Sequence, residues 1–225
     1  MIRSKQLLQF AALAAAGMMS CVAGHAQIQG ALWQNQSTAA GDALLSYGDP
    51  SSGSYLGAPD ATFSSTGFNY NPADSNPPYT PASFLNSPTF NNQSVNFSTP
   101  NPGYGPNAGL DNTYFYFTGT LFLNAGANTF VVGHDDGLQL NIDGIGLVVD
   151  QPGPTALAET PFTVTAPSAG NYTFELSYGE CCGPPASLVW QINQRVVGAP
   201  DAASSLTLLG MSLGGLAAFA RRMRK

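Results

Sequence analysis

Phe130-Val-Val-Gly-His-Asp-Asp-Gly-Leu-Gln-Leu-Asn-Ile-Asp-Gly144 is the stretch whose reading decides the fold. Leu138, Leu140 and Ile142 alternate with Gln139, Asn141 and Asp143, the period of a half-buried strand. Phe130 to Val132 reads as a preceding strand. Asp143-Gly144 suits a hairpin turn, because both residue types tolerate positive φ. Asp135-Asp136-Gly137 stands in the turn between the strands. Neighbouring carboxylates repel each other unless a proton or a cation relieves them. Calcium, a hard cation that takes oxygen ligands, is the natural relief. A solvated turn, with Asp and Gly serving only backbone geometry, accounts for the same residues.

The flanking sequence repeats the strand period. In Tyr114 to Leu123, Phe115, Phe117, Leu121 and Leu123 share one face and Tyr114, Tyr116 and Phe122 the other, which predicts a central strand. Asn124-Ala-Gly126 turns this segment into Thr129 to Val132. Gly146 to Asp150 is a further strand, broken by Gln151-Pro-Gly-Pro154. Phe162 and Val164 alternate with Thr163 and Thr165. Tyr172, Phe174, Leu176 and Tyr178 alternate with Thr173, Glu175 and Ser177, and Leu188, Trp190 and Ile192 with Val189, Gln191 and Asn193. Such spacing predicts an all-β fold, an antiparallel β-sandwich or jelly roll.

The segment Asp135 to Gly144, with Thr118-Gly119-Thr120-Leu-Phe-Leu and Thr129-Phe130 before it and Gly170-Asn171-Tyr172-Thr173-Phe174-Glu175-Leu176 after it, resembles the protective-antigen-type PA-14 β-sandwich. The resemblance covers roughly Leu110 to Asn193. In lectin-like members paired aspartates on this loop hold a calcium ion, which in turn holds sugar hydroxyls. The resemblance therefore implies calcium as cofactor, Asp135 and Asp136 as its ligands, and a glycan or exopolysaccharide as partner. A second loop between late strands completes the site in those lectins. It would fall on Glu180 to Pro185 here, which makes Glu180 a possible further ligand, against a reading as a solvated loop acid.

Before this region the chain is harder to read. Ala31-Leu-Trp33 predicts a first strand, in which Trp33 serves packing. Asp49 to Leu110 is rich in Pro, Ser, Asn and Gly, with single aromatics such as Tyr55, Phe63, Phe68, Tyr70 and Phe84. Those rings need somewhere to pack, so the segment reads as long loops and short edge strands wrapped over the sandwich.

Charge is sparse, at 9% of 225 residues. Between Gln27 and Pro200 stand twelve acids, a single arginine (Arg195) and no lysine, a net of −11. Such a surface cannot neutralise phosphates, which argues against nucleic acid as a partner. It suits cations or neutral glycans, and acidity also keeps an exported protein soluble.

Both ends read as targeting. Arg3 and Lys5, the apolar Leu7 to Val22 and Gly24-His25-Ala26 predict a secretory signal helix over 1–26, with an uncleaved anchor as the competing reading. The body then spans 27–197, clearest over 110–193 and loop-rich over 49–110. At the other end, Ala199-Pro200-Asp201 precedes an apolar stretch from Leu206 to Ala220 and the basic cluster Arg221, Arg222, Arg224 and Lys225. About 19 residues at roughly 1.5 Å each just span a bilayer core, and the basic end stays cytoplasmic. This order resembles the PEP-CTERM sorting tail of exopolysaccharide-making Gram-negative bacteria, over 198–225. It implies an exosortase as partner, transient anchoring by a transmembrane helix, and a cell-surface or extracellular destination. A plain membrane anchor is the alternative.

The signal carries Cys21, leaving Cys181 and Cys182 in the body. Neighbouring Cα atoms lie about 3.8 Å apart, under the roughly 4.4 Å lower end for ordinary disulfides. An oxidising compartment can still close such a vicinal pair, and free thiols or an intermolecular bond are the alternatives. Zinc lacks a second Cys/His pair. His134 beside Asp135 has no nucleophile placed with it by any motif, and adjacent carboxylates on one turn are not the cleft-spanning pair of a glycosidase. The expectation is therefore a non-enzymatic surface or matrix protein that binds carbohydrate through calcium. The competing expectation is a structural envelope or biofilm-matrix protein without a small-ligand site.

Overall fold

The computed structural model describes residues 28–70, 80–85, 94–97, 104–183 and 185–197. The predicted signal helix, the sorting motif Ala199-Pro200-Asp201, the apolar tail and its basic cluster lie outside them. Among the described residues no helix is long and apolar enough to cross a membrane.

Among the described residues twelve strands run in chain order: β1 (Ile28–Trp33), β2 (Ala61–Ser65), β3 (Asn69–Tyr70), β4 (Ser94–Phe97), β5 (Thr113–Leu123), β6 (Gly126–Asp135), β7 (Leu138–Ile142), β8 (Gly146–Gln151), β9 (Ala158–Ala166), β10 (Gly170–Glu180), β11 (Ser187–Ile192) and β12 (Arg195–Val196). A seven-stranded sheet has the order β4-β2-β1-β5-β10-β7-β8. A second sheet runs β12-β11-β6-β9, with β3 also paired to β11. Every pairing is antiparallel. The predicted antiparallel sandwich is the observed fold.

β5 is central, flanked by β1 and β10, as its two apolar faces predict. Its inward side chains Phe115, Phe117, Leu121 and Leu123 join Phe174, Leu176 and Tyr178 of β10 in the core. The opposing sheet contributes Phe130, Val132, Leu188 and Trp190. Edge-to-face contact of Trp190 with Phe174, at 4.9 Å between ring centres, ties the sheets together at mid-height.

The outer face of the larger sheet is also covered. A short helix (Ser37–Asp42) and the 3-10 turn Leu45–Tyr47 lie across it. Ser177 donates to the Ala43 carbonyl at 2.6 Å and Tyr114 to the Leu44 carbonyl at 2.8 Å. Gly179 permits this approach: a Cβ there would stand 1.9 Å from the Ala40 carbonyl oxygen.

The reading of 49–110 as loops and edge strands over the sandwich needs correction. β2 is an interior strand between β1 and β4. Phe68, Tyr70 and Phe84 are fully buried in the main core, Phe84 from a helix at Pro81–Leu85. Apolar burial holds these three rings in place although the sequence around them has no regular period.

Candidate functional site

β6 belongs to one sheet and β7 to the other, so Asp135-Asp136-Gly137 is the corner where the chain crosses between layers. The crossing leaves no room for a side chain at Gly137, where a Cβ would meet the Gly153 carbonyl oxygen at 2.5 Å. The Gly137 carbonyl accepts the Gly179 amide at 3.0 Å, pinning the corner to β10. The peptide bond between Asp135 and Asp136 is cis.

Both aspartates are buried, with 7% and 5% of their surface exposed. Asp136 accepts the Thr155 amide on Oδ1 at 3.0 Å and the Cys181 amide on Oδ2 at 2.9 Å. It thus joins the corner to two other loops. Two hydrogen bonds use about half of a carboxylate's roughly four acceptor positions, leaving lone pairs for another partner. His134 Nδ1 lies 2.6 Å from the Asp136 carbonyl oxygen, which can only accept, so that nitrogen carries the proton. Nε2 then accepts from the Thr160 hydroxyl at 3.2 Å. Burial pushes the His134 pKa down and keeps the ring neutral. Both ring nitrogens are engaged in supporting the corner.

Glu180 is the last residue of β10 and is fully buried, which corrects its reading as a solvated loop acid. Its Oε2 lies 3.1 Å from the Tyr178 hydroxyl, whose one proton is shared with the Asp135 carbonyl. Oε1 has no hydrogen-bond partner. Burial, then the charges of Asp136 and Asp135, push the Glu180 carboxyl up to about 9. Burial, then the charges of Glu180 and Asp136, raise the Tyr178 hydroxyl well above its ordinary value.

Cys181 and Cys182 are joined by a disulfide. Their sulfurs and an Asp136 carboxylate oxygen lie within 4.8 Å of one another. Disulfide sulfurs are not thiolates, so this trio is not a soft-metal site in its present state. Asp136 is the one carboxylate in that trio, and among the described residues no group of three acids brings its oxygens this close together. Asp135, Asp136 and Glu180 are withdrawn from water, and one Glu180 oxygen is unmatched. The sequence singles out these three acids as candidates. It does not single out Thr155, Tyr178 or His134 as supports, since nothing in the strand period marks them.

The Glu180 shift gives a test in chelator. The raised folded pKa means that the folded state retains a proton which the unfolded chain, at 4.5, has released. Stability from this group is complete below that pH and is lost as pH rises through about 9. Chemical denaturation at pH 5 and pH 8 is expected to show a less stable protein at pH 8, by at least about 1 kcal/mol, the equivalent of one pKa unit. Glu180→Gln, which imitates the protonated form, should remove this group's contribution to the slope.

Comparisons with solved structures agree with this architecture. The PA14 sugar-binding domain from an RTX adhesin matches with a TM-score of 0.51 at 21% identity, over 77% of this chain and 92% of that one. The PA14 domain of the MpAFP antifreeze protein matches at 0.50 and 18% identity, over 73% and 79%. The fold is that of a PA14 β-sandwich. At these identities the likeness is one of fold. No family model matches the sequence, and a search of characterised proteins finds no relative.

Proposed function

We propose that this chain is an exported cell-surface or matrix protein that binds carbohydrate through a calcium ion at the Asp135-Asp136 corner. The carrying observation is the buried trio Asp135, Asp136 and Glu180, with the unmatched Glu180 oxygen, in a fold shared with a sugar-binding domain. Asp135 and Asp136 would hold the ion, and Glu180, whose carboxyl feels the charge of both, would serve it only if its side chain moved toward them. Calcium takes roughly six to eight oxygens and, once held, supplies positions for sugar hydroxyls. The protein supplies the charge that attracts the ion, and Thr155, Cys181 and His134 keep the corner in one arrangement. Export by the 1–26 signal and exosortase sorting at Ala199-Pro200-Asp201 belong to the same proposal and rest on sequence alone.

The test is capture of the full-length protein on an array of neutral oligosaccharides. Capture on the preferred glycan is expected to fall at least about tenfold in EDTA, a loss of about 1.4 kcal/mol in binding, and to return with calcium. Tight capture that ignores EDTA would sink the calcium reading.

One observation favours a second reading. Both Asp136 oxygens already accept backbone amides from separate loops, so this residue can act as a clamp without any ligand. A structural matrix protein needs no more. Absence of capture on any glycan, in calcium or without it, would favour that reading.

A further inference from the structure

A different feature lies on the outer face of the seven-stranded sheet. The strand alternation sends Gln29 and Trp33 of β1, Tyr116 and Thr118 of β5, and Glu175 of β10 to the same side. With the loop from Gly48 to Pro59 they line an open, shallow cleft of about 350 Å³. That size is at the small end of ligand sites.

Its walls are held in place. Trp33 donates its indole N–H to the Gly57 carbonyl at 3.1 Å and meets Tyr55 edge-to-face at 6.3 Å. Gly48 lies flat on the Tyr116 ring, where a Cβ would come within 2.3 Å of it. Burial, with the Glu175 carboxylate nearby, pushes the Tyr116 hydroxyl up. At the loop's start, Asp49 accepts the Ser51 amide at 2.8 Å. A site fixed in this way loses little freedom when a ligand enters.

The lining selects a chemical class. It contains no lysine or arginine, and Asp49 and Asp143 stand near enough to act on Tyr116 alongside Glu175, so an anion is repelled. A lone carboxylate in the lining is too little for a hard metal. A pyranose carries an apolar C–H face and a rim of hydroxyls. Tyr55 and the prolines match the first, over a buried Trp33 that backs them; Glu175, Gln29 and Thr118 match the second.

We infer that this cleft is a second saccharide subsite, for a neutral pyranose unit, that works without a metal. It deepens the carbohydrate-binding reading but is independent of the Asp135-Asp136 corner. Glu175 is five residues upstream of Glu180 on β10, about 17 Å at strand spacing, and points to the opposite face.

The experiment is saturation-transfer NMR on the full-length protein in EDTA, with the methyl glycosides of glucose, galactose, mannose and fucose. At least one is expected to receive saturation, and equally so with Asp135→Asn, Asp136→Asn. Tyr55→Ala should cut that signal at least about fivefold, a loss of about 1 kcal/mol in binding. Gln29→Ala, at an exposed position that leaves folding alone, should weaken it too. Signal only in calcium would overturn the subsite while leaving the corner site standing. Signal in EDTA that ignores both variants, or no signal with any glycoside, would overturn it as well. Displacement of the sugar by tetramethylammonium would assign the cleft to a cation instead.

Discussion

Calcium is expected to raise the unfolding temperature of the full-length protein above its value in chelator, and the Asp135→Asn, Asp136→Asn variant to show no such rise. A ligand that binds only the folded state adds RT ln(1 + [L]/Kd), about 2.7 kcal/mol at a hundredfold excess over Kd. In a protein of this size each kcal/mol moves the midpoint by about 2–4 °C, so the shift should exceed about 5 °C. Asparagine keeps the shape of aspartate and its carbonyl acceptor but removes the charge that draws the ion. In chelator the same variant should be less stable than wild type, because Asp136→Asn turns one of the two oxygens that accept the Thr155 and Cys181 amides into a donor. A wild type indifferent to calcium would leave Asp136 as a loop clamp. Asp136→Ala should then still destabilise the fold, by removing the acceptor for two loop amides.

The other large effect is expected at Trp190. It is fully buried and touches Phe174 and Phe68 at 4.9 and 5.4 Å between ring centres, with Phe130 stacked at 6.0 Å. These rings come from both layers and from the segment that follows β2. Truncation to alanine would open a cavity where the layers meet, and should cost about 3–5 kcal/mol in denaturant unfolding. Trp190→Phe should cost much less. The indole N–H has no acceptor, so removing it deletes an unmet donor while most of the ring contact survives. A Phe variant as unstable as the Ala variant would show that the N–H is satisfied in solution and that this account of the core is wrong.

The acids of the candidate site were visible in the chain, but their environment was not. Asp135-Asp136-Gly137 announces a turn with repelling charges whatever the fold around it. Glu180, next to two cysteines and two prolines, looks like part of an exposed loop. It is buried because β10 continues through it for eleven residues, pairing Glu180 with Thr113 of β5. That pairing is non-local and leaves no mark in the sequence around Glu180. Thr155 and His134 became supports for the same reason: the loop after β8 and the end of β6 meet only once both sheets are assembled.

The sequence by itself determined the strands and their faces. Alternation over Tyr114–Leu123, Leu138–Ile142, Tyr172–Tyr178 and Leu188–Ile192 specifies which side chains are buried, because a strand has a period of two and burial rewards one face. It could not say which sheet each strand joins, since the period is the same in either. Only the tertiary structure decided that β6 and β7 part at the two aspartates, and that Phe68, Tyr70 and Phe84 enter the core from a segment without a pattern. Those outcomes depend on packing between residues far apart in the chain, where shape and volume, not local periodicity, select the partner.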